Sequence, residues 1–236
     1  KDDTSEGLTT SQLETVRGWR ATIGEIAVQE MLHLATACNL LTAVGGAPQL
    51  RRPNLPTSPR AYPAAFELRL IPFSLEAVEQ FVFLELPEYI YAATRPVASY
   101  RDSALAVRSL RDAFSCERDY ETLGELYRGI EDGLDYLSQK LGEETLFVGR
   151  PASQTSASYI AIPGLITVHD LNSARAAVKV IIEQGEGASA DAENSHYQLF
   201  LAMRDEYRAL LEADEDFRPG RPVLTNPYAL MPTEDG

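Results

Sequence analysis

Apolar and polar positions divide this chain into helical stretches separated by long irregular ones. From Ser11 or Thr15 to Val44 the apolar residues recur at steps of three and four, and Gly45, Gly46 and Pro48 close the pattern. Residues 47–63, "APQLRRPNLPTSPRAYP", hold five prolines and follow neither the helical nor the strand period. Connections of that length are usually functional covers or disordered. "FELRLIPF" alternates Phe66, Leu68 and Leu70, which predicts an extended segment or short strand. Ser74 then caps a short predicted helix through "LEAVEQFVFLEL", which Pro87 ends. A further helix is predicted from Tyr120 to Leu141, closed by Gly142, with a second irregular segment over 142–169. "DLNSARAAVKVIIEQGEGA" reads as a helix capped by Asp170 or Asn172 and interrupted by Gly185 and Gly187. "SHYQLFLAMRDEYRALLEA" is the last helix, and the tail is proline-rich and extended. No repeat of solenoid period is present. The expected fold is all-α: one helical bundle over 1–236, its core at 12–212, with long loop insertions and a tail at 218–236.

Certain polar residues fall inside the apolar seams. Ile23, Ile26, Glu30, His33, Ala37, Leu40 and Val44 form one seam of the first helix. A buried carboxylate needs a compensating partner, whether a metal, a cation or a hydrogen-bonded network. Residues at i and i+3 project from one helical face, so Glu30 and His33 can grip one ion. Taken alone, an E-x-x-H is better read as a core histidine bonded to its helix neighbour. A second imidazole shifts that balance: His196, Phe200, Met203, Tyr207 and Leu210 share a seam of the last helix. The third histidine, His169, reads as a loop residue.

The acids are less clean. In the 120–141 helix the seam is Leu123, Leu126, Ile130, Leu134, Leu137 and Leu141, which leaves Glu125 nearly opposite. Gly129 and Gly133 adjoin it, and glycines inside a helix make sense where another element approaches closely. Glu183 and Glu186 lie on a charged strip with Arg175 and Lys179, and periodicity favours that strip as the wet side. Tyr127, Tyr197 and Tyr207 read as core aromatics.

Composition narrows the chemistry. The hydrophobic fraction of 44% permits a sizeable core, and a net charge of −14 argues against nucleic acid and anionic membranes as partners. No apolar run approaches the ~20 residues needed to span a bilayer. Cys38 and Cys116 lack metal-type spacing, so a reducing cytoplasm is the default expectation and Cys38 reads as a core residue. There is no G-x-S-x-G, phosphate-cradling glycine loop or H-E-x-x-H.

"VQEMLHLATACNLLTAVGGAPQL", "IPFSLEAVEQFVFLELPE", "TLGELYRGIEDGL", "IIEQGEGA" and "SHYQLF" occur in that order. Together, over roughly residues 20–210, they resemble the ferritin-like domain of the iminophenyl-pyruvate dimer synthase family, which includes domains of violacein and chromopyrrolic acid synthases. The resemblance implies a ferritin-like bundle with an iron-type site. It assigns Glu30, His33, Glu125, Glu183, Glu186 and His196 as metal positions, and it supplies a role for Glu125 and Glu183 that spacing does not. Domains of this type begin with a further glutamate-bearing helix, for which there is no counterpart upstream of residue 11. That leaves open a di-iron or a mono-iron site, or none, and a homodimer or partner subunit covering an exposed face.

The resemblance therefore implies a metal-dependent oxidoreductase of secondary metabolism, using iron or manganese on an amino-acid-derived small molecule. The alternatives are a non-catalytic metal protein for storage or sensing, and a structural helical module whose polar core binds no metal.

Overall fold

The computed structural model describes residues 1–52, 54–56, 67–87, 123–185 and 194–229. Six α-helices occur among them: α1 (Thr10–Ala43), α2 (Leu75–Leu84), α3 (Leu123–Leu141), α4 (Glu143–Leu146), α5 (Leu171–Gly185) and α6 (His196–Ala213). No strand is found among the described residues, and 67–72 is coil, so the alternation in "FELRLIPF" makes no sheet there; Phe66 lies outside the described residues. No described helix is long and apolar enough to cross a membrane.

Local chemistry sets the helix ends. Thr9 and Gln12 form a reciprocal capping box at the start of α1: Gln12 N donates to Thr9 Oγ1 (3.2 Å) and Thr9 N to Gln12 Oε1 (2.8 Å). The helix thus begins ahead of the Ser11 or Thr15 expected from periodicity. It stops where Gly45 takes φ of +85°, a conformation that suits glycine. Ser74 caps α2 by accepting from Ala77 N. Asp170 caps α5, its Oδ1 accepting from Ser173 N at 2.7 Å, while Glu143 Oε2 takes the Leu171 N–H at 2.9 Å.

The chain divides into two compact units. One comprises Lys1–Glu25, Leu50–Glu85 and Tyr197–Gly236. Its core gathers Leu8, Leu13, Val16, Trp19, Val78, Met203, Tyr207 and Phe217. The Trp19 indole stacks on Tyr207 (centroids 5.3 Å apart, 9° between planes) and donates Nε1–H to Glu206 Oε2 at 2.7 Å. The α6 seam read from the sequence holds here: Phe200, Met203 and Tyr207 are all buried.

The other unit comprises Ile26–Gln49 and Leu86–His196. Its apolar core is Leu40, Ala43, Val168, Ala174, Ala177 and Val178, with Tyr127, Leu134, Phe147, Ile166 and Ile182 packed against it. Ala174 and Ala177 are fully buried, small residues that let α5 approach its neighbours closely. Arg175 forks onto Asp135 (3.0 and 2.7 Å), tying α5 to α3. On α3 the buried positions include Gly124, Gly133 and Ser138, while Ile130 and Leu141 of the expected leucine seam are exposed. The glycine flank is therefore a packed side of this helix.

The second half of α1 departs from its expected seam. Ile26, His33, Thr36, Leu40 and Ala43 are buried, together with Leu32 and Asn39. Ala37 and Val44 are only half-buried, and the Glu30 side chain is 49% exposed. The buried line thus runs through Thr36 and Ala43 and leaves Glu30 on its margin.

Segment 142–169 is held against α1 by side chains acting as backbone. Asn39 Nδ2 donates to Thr155 O and Ile166 O (2.8 Å each), and its Oδ1 accepts from Thr155 N (2.8 Å). Gln154 pairs in the same manner with Val168, donating to its carbonyl at 2.5 Å and accepting from its N–H at 2.7 Å. Gly149 N donates to Ala43 O at 2.9 Å, satisfying one of the carbonyls left open at the α1 terminus. Only glycine fits at 149, because a Cβ there would lie 1.8 Å from Thr42 O.

Candidate metal centre

Three side chains of the second unit converge. Glu30 and His33 come from α1, one turn apart, and His196 is the first residue of α6. Their ligand atoms all lie within 4.8 Å of one another. Glu30 Oε1 is 3.3 Å from His33 Nδ1 and 2.9 Å from His196 Nδ1, and the ring centroids are 5.6 Å apart. His196 is completely buried and His33 nearly so. The half-exposed carboxylate gives the cluster one side open to solvent.

Each imidazole meets an oxygen at both nitrogens. His33 Nε2 lies 2.9 Å from Gln184 Oε1 and His196 Nε2 lies 2.8 Å from Gln29 Oε1. Both Nδ1 atoms face the same oxygen of Glu30. A neutral imidazole has one N–H, so it satisfies one of those acceptors and turns a lone pair toward the other. A cation among the two Nδ1 atoms and the carboxylate removes that clash. Ligands held about 2.1 Å from one ion at right angles sit about 3 Å apart. The separations to Glu30 are of that size, and the two-histidine, one-carboxylate donor set suits iron and similar divalent metals. The residues present therefore fit a metal.

The electrostatics agree. Partial burial works to raise the Glu30 carboxyl pKa, but His196 and then His33, donating to it and facing it with charge, bring it down to about 2. Burial, with a smaller contribution from the Glu30 charge, pushes the nearby Tyr127 phenol up.

Two of the other expected ligands, Glu183 and Glu125, are described and fall outside this group of three. Glu183 is exposed and its Oε1 lies 3.6 Å from Lys179 Nζ, on the strip that periodicity marks as wet. Glu125 is half-buried in the first turn of α3 and does not join the cluster of three. Glu186 lies outside the described residues, as does Cys116. His169 is an exposed loop residue beside Asp170. Gln29 and Gln184, which touch the histidines, were not singled out from the sequence. The available signal was their register: Gln29 sits one turn before His33, and Gln184 lies on the inner side of the helix that carries Glu183.

Comparison with known proteins gives the context. A ferritin-like family model matches residues 4–205. The chain is 28% identical over 211 residues to a 2-imino-3-(indol-3-yl)propanoate dimerase of Chromobacterium violaceum. It is also 28% identical over 227 residues to a dichlorochromopyrrolate synthase of Lentzea aerocolonigenes. Each match covers 89% of this chain, but 19% of the first relative and 21% of the second, so the chain spans about a fifth of their length. No solved structure matches the chain at a significant level.

Proposed function

This chain belongs to the ferritin-like family, and on that premise we propose that it is a metal-dependent enzyme, with non-haem iron, that oxidatively couples an amino-acid-derived small molecule in secondary metabolism. The observation that carries the reading is the convergence of Glu30, His33 and His196 on one point. These residues would hold the metal, which when bound supplies one-electron and dioxygen chemistry; manganese suits the same donors. The substrate class follows from the two relatives, one of which is named for dimerising an aromatic imino acid.

The chain's own residues prepare such a site in three ways. Glu30 stays ionised across the physiological range, since its carboxyl titrates at about 2. The two buried imidazoles supply neutral donors and exclude water from their side of the cluster. The exposed side of Glu30 leaves room for a small molecule to approach. Coupling two units through a new carbon–carbon bond releases two protons and two electrons, the electrons passing to dioxygen or a peroxide.

The test has two stages. Purified protein loaded anaerobically with Fe(II) is expected to hold metal stoichiometrically. His33→Ala and His196→Ala should bind at least about tenfold more weakly, while Glu183→Gln binds as wild type does. Stoichiometric metal in both histidine variants would sink the ligand assignment. Turnover is then assayed with imines generated from aromatic amino acids. The expected product, by mass spectrometry, is a dimer lacking two hydrogens, formed with loaded wild type and absent with His33→Ala. Loaded wild type that gives no such dimer from any aromatic imine refutes the coupling activity.

A further inference from the structure

We propose that Gln29 and Gln184 are the positioning residues of the cluster, each holding one histidine by Nε2 so that Nδ1 is the atom presented to the metal. The inference rests on the metal-centre reading above and adds to it the two residues that orient the imidazoles. Gln184 reaches from α5 to His33 on α1, at 2.9 Å. Gln29 reaches from α1 to His196 at the head of α6, at 2.8 Å. The two bonds lace three helices, and each runs between residues far apart in sequence, so neither is a by-product of local helix geometry.

The chemistry of the amide decides the orientation. In both contacts the side-chain oxygen faces the ring, and an oxygen accepts only. It therefore accepts from Nε2–H, and once a cation replaces the proton that each Nδ1 shares with Glu30, 3.3 and 2.9 Å away, the Nδ1 lone pair is the one presented to it. Partners of this kind fix ring orientation at metal sites, and losing one typically weakens metal binding about 10–100-fold. A glutamine does this without charge. With two neutral imidazoles and one carboxylate, a divalent cation leaves the centre at +1; a carboxylate at either glutamine position would cancel that. Burial raises the stakes: His196 is completely enclosed, so its ring is held by these neighbours rather than by solvent.

The test begins with the protein loaded with diamagnetic Zn(II). The chain has three histidines, so ring 15N shifts of specifically labelled protein can be assigned by substitution. His33 and His196 are expected as Nε2–H tautomers, with the exposed His169 as an averaging reference. Gln184→Leu should change the His33 ring signals and leave His196 alone; Gln29→Leu should do the converse. In Co(II) or Fe(II) titrations each leucine variant should bind about 10–100-fold more weakly, while Gln184→Glu and Gln29→Glu, which keep an acceptor oxygen in reach, restore binding to within a few-fold of wild type. Circular dichroism of all four variants checks folding, and the glutamate pair keeps the test decisive if a leucine variant misfolds. The proposal is overturned if wild type carries Nδ1–H in both rings, or if correctly folded leucine variants bind metal within twofold of wild type. Wild type that binds no metal in the titrations refutes the metal reading, whereas wild type that binds metal through Nε2 refutes only the glutamine orientation.

Discussion

Asn39→Ala is expected to loosen segment 142–169 from α1. Asn39 is 1% exposed and makes three hydrogen bonds of 2.8 Å to the backbone of Thr155 and Ile166. A typical bond of this kind contributes about 1 kcal/mol net, and a buried group left without a partner costs about 1–3 kcal/mol. Thr155 and Ile166 are half-buried, so water reaches part of what the alanine abandons. The working figure is a loss of about 2–4 kcal/mol, which for a chain of this size lowers the melting temperature by about 5–15 °C. Thermal unfolding by circular dichroism measures it, and hydrogen exchange should place the early opening at residues 154–168. Asn39→Asp separates the hydrogen-bond account from a packing account. The aspartate fills the same space and keeps the acceptor for Thr155 N, but it turns an oxygen toward two carbonyls. At neutral pH it should be at least as damaging as alanine, and it should recover in part in mild acid, where a protonated carboxyl donates once. A melting shift under about 2 °C for either variant at neutral pH would refute the reasoning.

Two other perturbations follow from the packing and the ion pairs. Gly149→Ala forces a Cβ against Thr42 O, which is main chain and can only be relieved by moving the segment; the expected cost is about 2–3 kcal/mol, read by chemical denaturation, and an unshifted midpoint would show that the close approach is not maintained. Arg221 forks onto Glu6 (2.7 and 2.8 Å) and reaches Asp2 (2.7 Å). Its hydrogen bond is the main cause that holds the Glu6 carboxyl at about 2, below its ordinary 4.5. A depressed folded-state pKa contributes stability that is complete above about 4.5 and lost as pH falls toward 2. The stability gap between wild type and Arg221→Gln should therefore be constant from pH 7 to about 5 and narrow progressively from there toward pH 2; a gap at pH 3 as large as that at pH 7 would exclude this pair as its source.

The residues the apolar period captured and those it missed differ in one physical respect. In α6, His196, Phe200, Met203 and Tyr207 are all buried, and all but the histidine are large aromatic or sulfur-bearing side chains, so the period is unambiguous. In α1 the interior includes His33, Thr36 and Asn39, while Val28, Met31, Leu34 and Leu41 are exposed. A helix apolar on every side does not reveal its inner face by hydrophobicity. What marks the inner face here is polar residues that find partners: Asn39 on backbone 116 and 127 residues away, His33 on Gln184, 151 away. A sequence window sees only an amide, which is usually a surface residue. Glu183 shows the converse. Its period marked it as solvated, the family resemblance made it a ligand, and the structure sets it beside Lys179 with the neutral Gln184 against the imidazole. The resemblance is to a helix with a metal-facing side, and it transfers the helix more securely than the identity of the residue that faces inward. Where an acid and an amide are neighbours, as in "EQ" at 183–184 and "QE" at 29–30, one residue of register decides which carries charge to the centre and which orients a ring. In α1 the inner amide and the marginal acid are both used, and the carboxylate reaches the imidazoles from the rim.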